Sequence, residues 1–124
     1  INVLIVDDSS SIRRIVQRIL QQTGLPFATV FEAADGQQAL ELLGREREIR
    51  LILSDINMPN MDGIALLRTI RESAEWRDVP VILITTEGTQ NRVKEAAALG
   101  ATSYIHKPFN ADDLKYKLLG LLKG

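Results

Sequence analysis

The sequence has no cysteine, a single histidine and no excess of charge of either sign. Without cysteine there can be no disulfide bridge or thiolate metal site. Because such a sequence suits a reducing compartment, we expect a cytoplasmic protein. Fifteen basic and sixteen acidic residues argue against direct nucleic-acid binding. No apolar run approaches the length of about 18 residues that a membrane span requires, and no leader-like segment is present, so we expect neither membrane insertion nor a signal peptide.

Short apolar runs alternate with longer segments of helical periodicity along the chain. Its 124 residues suit a single domain, placed at 1–124, because a chain of this size buries about two-thirds of its unfolded surface. The apolar runs predict five β-strands, at residues 2–7, 28–33, 50–55, 79–85 and 101–106. Apolar stripes predict five intervening helices, centred on residues 12–20, 39–43, 66–70, 93–97 and 114–121.

The predicted strands are continuously apolar rather than alternating in polarity, which indicates burial on both faces. Regular alternation of strands and helices is typical of a parallel sheet between two helical layers. We therefore expect an α/β fold with a five-stranded parallel sheet and five helices distributed over both faces. In open sheets of this kind, ligands bind beyond the carboxyl ends of the strands.

Polar residues of reactive type stand at the ends of four predicted strands: Asp7 and Asp8, then Asp55, Thr85 and Lys107. Three carboxylates at one rim would repel each other and have raised pKa values unless a cation were bound. An all-oxygen acidic cup without histidine or cysteine suits a hard divalent ion, and few protein ligands suit Mg²⁺. With Lys107 and Thr85 opposite, such a cup would hold a phosphoryl group at Asp55, because carboxylates can form aspartyl phosphate.

Each of these residues also has a purely structural explanation. Asp7 and Asp8 could belong to a helix N-cap region, and Asp55 could simply begin a turn. Thr85 could lie in an ordinary strand-to-helix turn, and Lys107 could be a solvated surface side chain. The combination at successive strand ends favours the phosphoryl site.

From end to end, the sequence resembles the receiver domain of two-component response regulators. The resemblance rests on elements that occur in the family's order: Asp7-Asp8, the segment DINMPNMDG at 55–63, Thr85, and Lys107-Pro108. The segments NMPNMDG, RRIV at 13–16 and KPF at 107–109 are most similar to the stand-alone chemotaxis receivers. The resemblance implies a flavodoxin-like sheet with strand order 2-1-3-4-5.

The resemblance also implies a metal site and a phosphoacceptor. Asp8 would bind Mg²⁺ directly and Asp7 mostly through water, while Asp55 and the backbone carbonyl of Asn57 would complete the protein ligands. Asp55 would receive the phosphoryl group from a phosphohistidine of a sensor histidine kinase.

The remaining matched residues would respond to the phosphoryl group. Lys107 would pair with Asp55 and then with the phosphoryl oxygens, and Thr85 would donate its hydroxyl to one of them. Tyr104 would be the rotating aromatic of the switch. The Lys107–Pro108 peptide bond is expected to be cis.

Four positions near the acceptor are expected to affect the rates of phosphorylation and dephosphorylation. Asn57 and Glu87 match the chemotaxis pattern at positions that tune dephosphorylation. Ile56 stands where the best-known chemotaxis members have tryptophan, and Thr86 is larger than the usual alanine or glycine, which would hinder small phosphodonors.

The expected function is that of a signalling switch, which promotes only its own phosphorylation and dephosphorylation and is otherwise not an enzyme. Expected partners are a sensor histidine kinase, a phosphatase and a downstream protein target such as a flagellar motor switch. Two alternatives stay open: the receiver of a multidomain DNA-binding regulator, and a flavodoxin-like cofactor-binding module. In the second, Asp7 and Asp8 would repel a nucleotide phosphate. A P-loop nucleotide hydrolase is excluded because the sequence lacks the Gly-x-x-x-x-Gly-Lys-Ser/Thr motif.

Overall fold

One five-stranded parallel sheet organises the computed structural model, which describes residues 1–46, 48–86 and 89–122. The strands are β1 (Asn2–Val6), β2 (Val30–Ala33), β3 (Ile49–Asp55), β4 (Val81–Thr85) and β5 (Ser103–His106). Their order is β2-β1-β3-β4-β5, and all four pairings are parallel. The predicted fold class and strand order are confirmed. Strand β4 begins later than predicted because Pro80 has no N–H to donate to the sheet.

A helix follows each strand, as the apolar stripes predict. The helices are α1 (Ser10–Gln22), α2 (Gly36–Arg45), α3 (Gly63–Glu72), α4 (Val93–Ala98) and α5 (Ala111–Leu122). The first three helices are capped at their N-termini by Ser9, Asp35 and Asp62, respectively. The side-chain oxygen of each cap residue accepts a hydrogen bond from the backbone N–H three residues later. In the described ranges, no helix combines the length and apolarity that crossing a membrane requires.

Two apolar cores, one on each face of the sheet, hold the helices in place. Successive side chains of a strand point to opposite faces, so Val3 and Ile5 join the core with α1 and α5. Leu4 and Val6 belong to the other core, with α2, α3 and α4. All four side chains are fully buried. This explains the continuously apolar strand sequence and confirms the expected burial on both faces.

Candidate functional site

Three carboxylates lie together where β1 and β3 end. One oxygen each from Asp7, Asp8 and Asp55 lies within 4.8 Å of the others. The cluster forms because β1 and β3 are paired, with Val6 opposite Ser54, so their carboxyl ends are adjacent. Asp7 is buried, Asp55 is half-buried and Asp8 is exposed. The cluster is therefore open to solvent on the Asp8 side.

Asp7 is the most constrained of the three carboxylates. Its Oδ1 accepts a hydrogen bond of 2.9 Å from the backbone N–H of Ser9. Its Oδ2 is buried and accepts no hydrogen bond from any residue that the structure describes. Among the residues that the structure describes, Lys107 forms an ion pair with Asp7, with its Nζ 3.6 Å from Oδ2. A buried carboxylate oxygen without a hydrogen bond calls for an explanation, and a bound cation supplies one.

Asp55 has an unfavourable electrostatic environment for its negative charge. Burial raises the pKa of the Asp55 carboxyl, and the charges of Asp7 and, more weakly, Asp8 raise it further. Lys107 lowers this pKa, as does the backbone N–H of Ile56, which donates to Asp55 Oδ1 at 2.8 Å. The net shift is upward. Of the three carboxylates for which the sequence predicts a raised pKa, Asp55 has one, and a bound cation would offset the repulsion.

The donor set fits a hard divalent cation. The converging side chains offer oxygen only, which is the donor that Mg²⁺ and Ca²⁺ prefer. Asn57, whose carbonyl was expected to be a further ligand, is exposed two residues after Asp55 in the loop that follows β3. The structure thus brings three of the four expected ligand residues into one cluster, with the fourth in the adjoining loop.

Lys107 lies at this site with a partner different from the one expected. Its Nζ forms an ion pair with Asp7, whereas no ion pair within 4.0 Å joins it to Asp55 among the residues described. Asp7 has the more buried side chain, and attraction between charges is stronger where water is excluded. The effect of Lys107 on Asp55 is the longer-range lowering of its pKa. The Lys107–Pro108 peptide bond is cis, as expected.

The two expected switch residues, Thr85 and Tyr104, line the same cavity. The cavity is about 610 Å³ in volume and extends between β5 and α5. Thr85 is buried, and its hydroxyl donates a long hydrogen bond of 3.4 Å to the Ile105 carbonyl. The Tyr104 side chain is turned outward and is 49% exposed, with the Lys117 Nζ 5.4 Å from its ring centroid. Turning Tyr104 inward would therefore fill space next to Thr85.

Two residues that anchor the loop following Asp55 are not predicted from the sequence. Asp35 accepts a hydrogen bond of 2.8 Å from the Asn60 side chain, and Arg92 lies 3.2 Å from Asp62. An aspartate followed by glycine where the second helix begins was a signal for the Asp35 cap. Neither loop contact had a sequence signal, since the paired residues are 25 and 30 positions apart. Glu87, expected to tune dephosphorylation, lies outside the described residues.

Comparison with known proteins places this chain in a family. Residues 3–119 match the family model of the response regulator receiver domain. Chemotaxis protein CheY-3 of Vibrio cholerae is 44% identical over 116 residues, which are 94% of this chain and 87% of that protein.

Solved structures give the same result. That of the Vibrio cholerae chemotaxis response regulator CheY4 is 38% identical with a TM-score of 0.78, covering 98% of this chain and 95% of that one. The receiver domain of the Pseudomonas aeruginosa sensor histidine kinase PA1611, solved with magnesium coordinated in its active-site cleft, is 28% identical with a TM-score of 0.84; coverage is 99% and 98%. Neither the cofactor-binding module nor the DNA-binding regulator is favoured by these matches. The chain therefore belongs to the family of response regulator receiver domains, the phospho-accepting modules of two-component signalling.

Proposed function

We propose that the chain is the phospho-accepting switch of a chemotaxis pathway and that Asp55 is its phosphoacceptor. The observation that carries this proposal is the half-buried Asp55 carboxylate, clustered with Asp7 and Asp8 and influenced by Lys107. In the transfer, an Asp55 oxygen forms a bond to phosphorus while the bond from phosphorus to the kinase histidine nitrogen breaks. The electron pair of the broken bond returns to the imidazole. Phosphoryl transfer needs mainly positioning and charge neutralisation; the carboxylates would provide the positioning, and a bound cation together with Lys107 would provide the neutralisation.

Mg²⁺ is the ion that we assign to the acidic cluster. Asp8 is the direct ligand, Asp7 acts mostly through water, and Asp55 and the Asn57 backbone carbonyl complete the protein ligands. The all-oxygen donor set and the buried Asp7 Oδ2 support this assignment. When bound, the ion neutralises negative charge on the transferring phosphoryl group. Lys107 provides a second positive charge beside the same cluster.

Thr85 and Tyr104 convert the new charge into a change of surface. The phosphoryl group carries a charge of roughly -1.5 to -2, and the long bond from Thr85 to Ile105 is one that its hydroxyl can exchange for a phosphoryl oxygen. Tyr104 then turns into the shared cavity, and the altered face binds a downstream protein such as a flagellar motor switch. Asn57 and Glu87 tune the return by dephosphorylation, with or without a phosphatase.

The partners and location proposed follow from this role. A sensor histidine kinase supplies the phosphoryl group in the cytoplasm, and the chain promotes only its own phosphorylation and dephosphorylation. The chemotaxis assignment is supported by the identity to CheY-3.

Mass spectrometry after incubation with Mg²⁺ and a phosphorylated histidine kinase tests the acceptor. The wild-type chain should gain the mass of one phosphate, and hydroxylamine should remove it. Asp55→Asn should gain none, whereas Asp112→Asn, which changes an exposed aspartate at the start of α5, should be phosphorylated normally. A hydroxylamine-sensitive phosphate on Asp55→Asn would contradict the proposal.

Thermal unfolding with and without millimolar Mg²⁺ tests the metal site. A ligand that binds only the folded state stabilises it, by about 2.7 kcal/mol at 100 times its Kd. Mg²⁺ should therefore raise the Tm of the wild type, and Asp8→Ala should lose most of this rise. Asp112→Ala serves as the control and should keep it. A wild-type Tm that is indifferent to millimolar Mg²⁺ would remove the metal assignment.

A further inference from the structure

The loop of residues 56–62, which would carry the Asn57 ligand carbonyl, has no regular secondary structure of its own. Its two ends are held by backbone contacts. The Ile56 N–H donates to Asp55 Oδ1 at 2.8 Å, and the Gly63 N–H donates to the Ile56 carbonyl at 2.7 Å. Within the loop, the Met61 N–H also donates to the Pro59 carbonyl at 2.7 Å. The further contacts of the middle of the loop are with other parts of the chain.

Asp35, at the start of α2, holds the middle of this loop. Asn60 Nδ2 donates to Asp35 Oδ2 at 2.8 Å, while Asp35 Oδ1 accepts the Gln38 N–H at 2.9 Å and caps the helix. The next residue adds a backbone contact, because the Gly36 N–H donates to the Met61 carbonyl at 3.0 Å. One carboxylate therefore connects the first turn of α2 to the acceptor loop. We refer to the Asp35–Asn60 hydrogen bond as the loop latch.

Three features make the loop latch specific. Asp35 is 6% exposed, and the Asn60 hydrogen bond, followed by that of Gln38, lowers the pKa of its carboxyl, so the bond is charge-assisted. Asn60 has a φ of 66°, a left-handed conformation that asparagine adopts more readily than most residues. The Met61 side chain covers Gly36, where a Cβ atom would lie 2.5 Å from Met61 Cγ.

We infer that the loop latch positions the Asn57 carbonyl for the cation, so that the loop is ordered before the metal binds. This inference rests on the proposed function. Asp35 and Asn60 are positioning residues, because they act on the metal through the loop backbone. Ordering a flexible loop when the metal binds would weaken the affinity for the metal. A loop that is already ordered avoids this loss of affinity. Losing an outer-shell partner of a metal ligand lowers metal affinity by about tenfold or more, and we expect the lower end of this range.

Calorimetric titration of Mg²⁺ into Asn60→Gly tests the inference. Glycine keeps the left-handed backbone available and removes the side-chain hydrogen bond. It also increases the backbone freedom of the loop, an effect that the swapped pair described below does not introduce. The Kd for Mg²⁺ should rise by about tenfold. In the metal-free protein, amide hydrogen exchange of the 56–62 peptide should accelerate, while that of the β1 peptide stays unchanged.

A swap of the two side chains provides the rescue. In Asp35→Asn combined with Asn60→Asp, the new asparagine can cap α2, as Asn does well, and can donate its amide to the new carboxylate. The swapped pair should bring the Kd back close to the wild-type value. Asn60→Asp alone places two carboxylates within hydrogen-bond distance and should show the fastest loop exchange of the series.

A variant that is destabilised far from the metal site distinguishes an effect on loop position from an effect on overall stability. Thr23→Ala removes a buried hydroxyl that donates to Leu20 at 2.6 Å, at the end of α1 remote from Asp7. It should lower the Tm without changing the Kd. An unchanged Kd in Asn60→Gly, or a swap that fails to rescue, would overturn the inference while the proposed function stands. If the wild type itself bound no Mg²⁺, both would fall.

Discussion

Gly63 lies so close to the backbone of Asp55 that a Cβ atom on it would stand 2.1 Å from the Asp55 carbonyl oxygen. The Gly63 N–H also donates to the Ile56 carbonyl at 2.7 Å. The first turn of α3 thus packs directly on the proposed acceptor residue. Glycine is required here by space, since the atom that a side chain would meet belongs to the main chain.

Gly63→Ala should destabilise the protein and disturb the acceptor site. Overpacking costs about 1–3 kcal/mol, and we expect the upper end because a backbone atom cannot rotate away. Gly44→Ala is the matched control, since a Cβ atom at this α2 position meets nothing within 4 Å. It should stabilise by about 0.5–1 kcal/mol. Urea denaturation measures both changes, and equal effects would contradict the steric explanation.

The raised pKa of Asp55 predicts a pH-dependent stability in chelator. In the window between the ordinary aspartate pKa of about 3.9 and the raised native value, the folded state binds more protons than the unfolded state. Stability therefore falls as pH rises through this window. Asp55→Asn removes this loss and should be more stable than wild type at pH 7. The difference should disappear at pH values below the window.

Thermal unfolding of both proteins from pH 3 to 8 measures the effect of Asp55. Asp112→Asn, at an exposed position at the start of α5, is the control for the Asp-to-Asn change. A wild type that is more stable than Asp55→Asn at neutral pH, with metal chelated, would show that the charge of Asp55 is not destabilising.

Arg71 joins the end of α3 to two loops on the side of the sheet away from the acceptor. Its Nε donates to the Gly100 carbonyl at 2.8 Å. Its Nη1 donates to the carbonyls of Val79 at 2.7 Å and Arg77 at 3.1 Å. Its Nη2 donates to the Thr102 hydroxyl at 3.2 Å. A single planar guanidinium therefore donates to acceptors from two separate loops, residues 77–79 and 100–102.

Arg71→Ala should lower the free energy of unfolding by about 2–4 kcal/mol, since hydrogen bonds to charged groups contribute about 1.5–3 kcal/mol and are not additive. Arg71→Lys should recover little because lysine lacks the planar fork. Arg68→Ala, on the same helix, is the control. Arg68 forms an exposed ion pair of 3.9 Å with Glu95, so its loss should cost at most about 1 kcal/mol. Denaturant titration compares the three variants.

Coupling between Thr85 and Tyr104 predicts partial activation by phosphorylation alone. One charge-assisted hydrogen bond contributes about 1.5–3 kcal/mol, whereas a shift from 1:99 to 99:1 requires about 5.5 kcal/mol. Target binding must supply the remainder. Because coupling is reciprocal, a target that prefers the inward Tyr104 should raise the affinity for the phosphoryl mimic beryllofluoride.

Calorimetric titration of beryllofluoride with and without the target measures this coupling. It should be present in the wild type and in Thr85→Ser, which keeps the hydroxyl, and reduced in Thr85→Ala. Undiminished coupling in Thr85→Ala would rule out transmission through this hydroxyl.

The fold class and the acidic cluster could both be predicted from local sequence patterns. Continuous apolar strands and helical stripes are local patterns, and they predict a parallel sheet between two helical layers. Parallel strands end at one edge, so Asp7, Asp8 and Asp55 could be expected together before any distance was known. Burial is the main cause of the raised pKa of Asp55, and the juxtaposition with Asp7 and Asp8 adds to it.

The contacts that these residues make could not be predicted in the same way, because they depend on tertiary packing. Lys107 pairs with Asp7 because the relative burial of two carboxylates sets the stronger attraction. The loop latch between Asp35 and Asn60 joins residues 25 positions apart. Strand ends are specified by periodicity within a short segment. The contacts of Lys107 with Asp7 and of Asp35 with Asn60 depend instead on how separate segments pack against each other. A hydrogen bond also requires a donor–acceptor distance within a few tenths of an ångström of its usual value. A pattern of residue types does not predict distances with that precision.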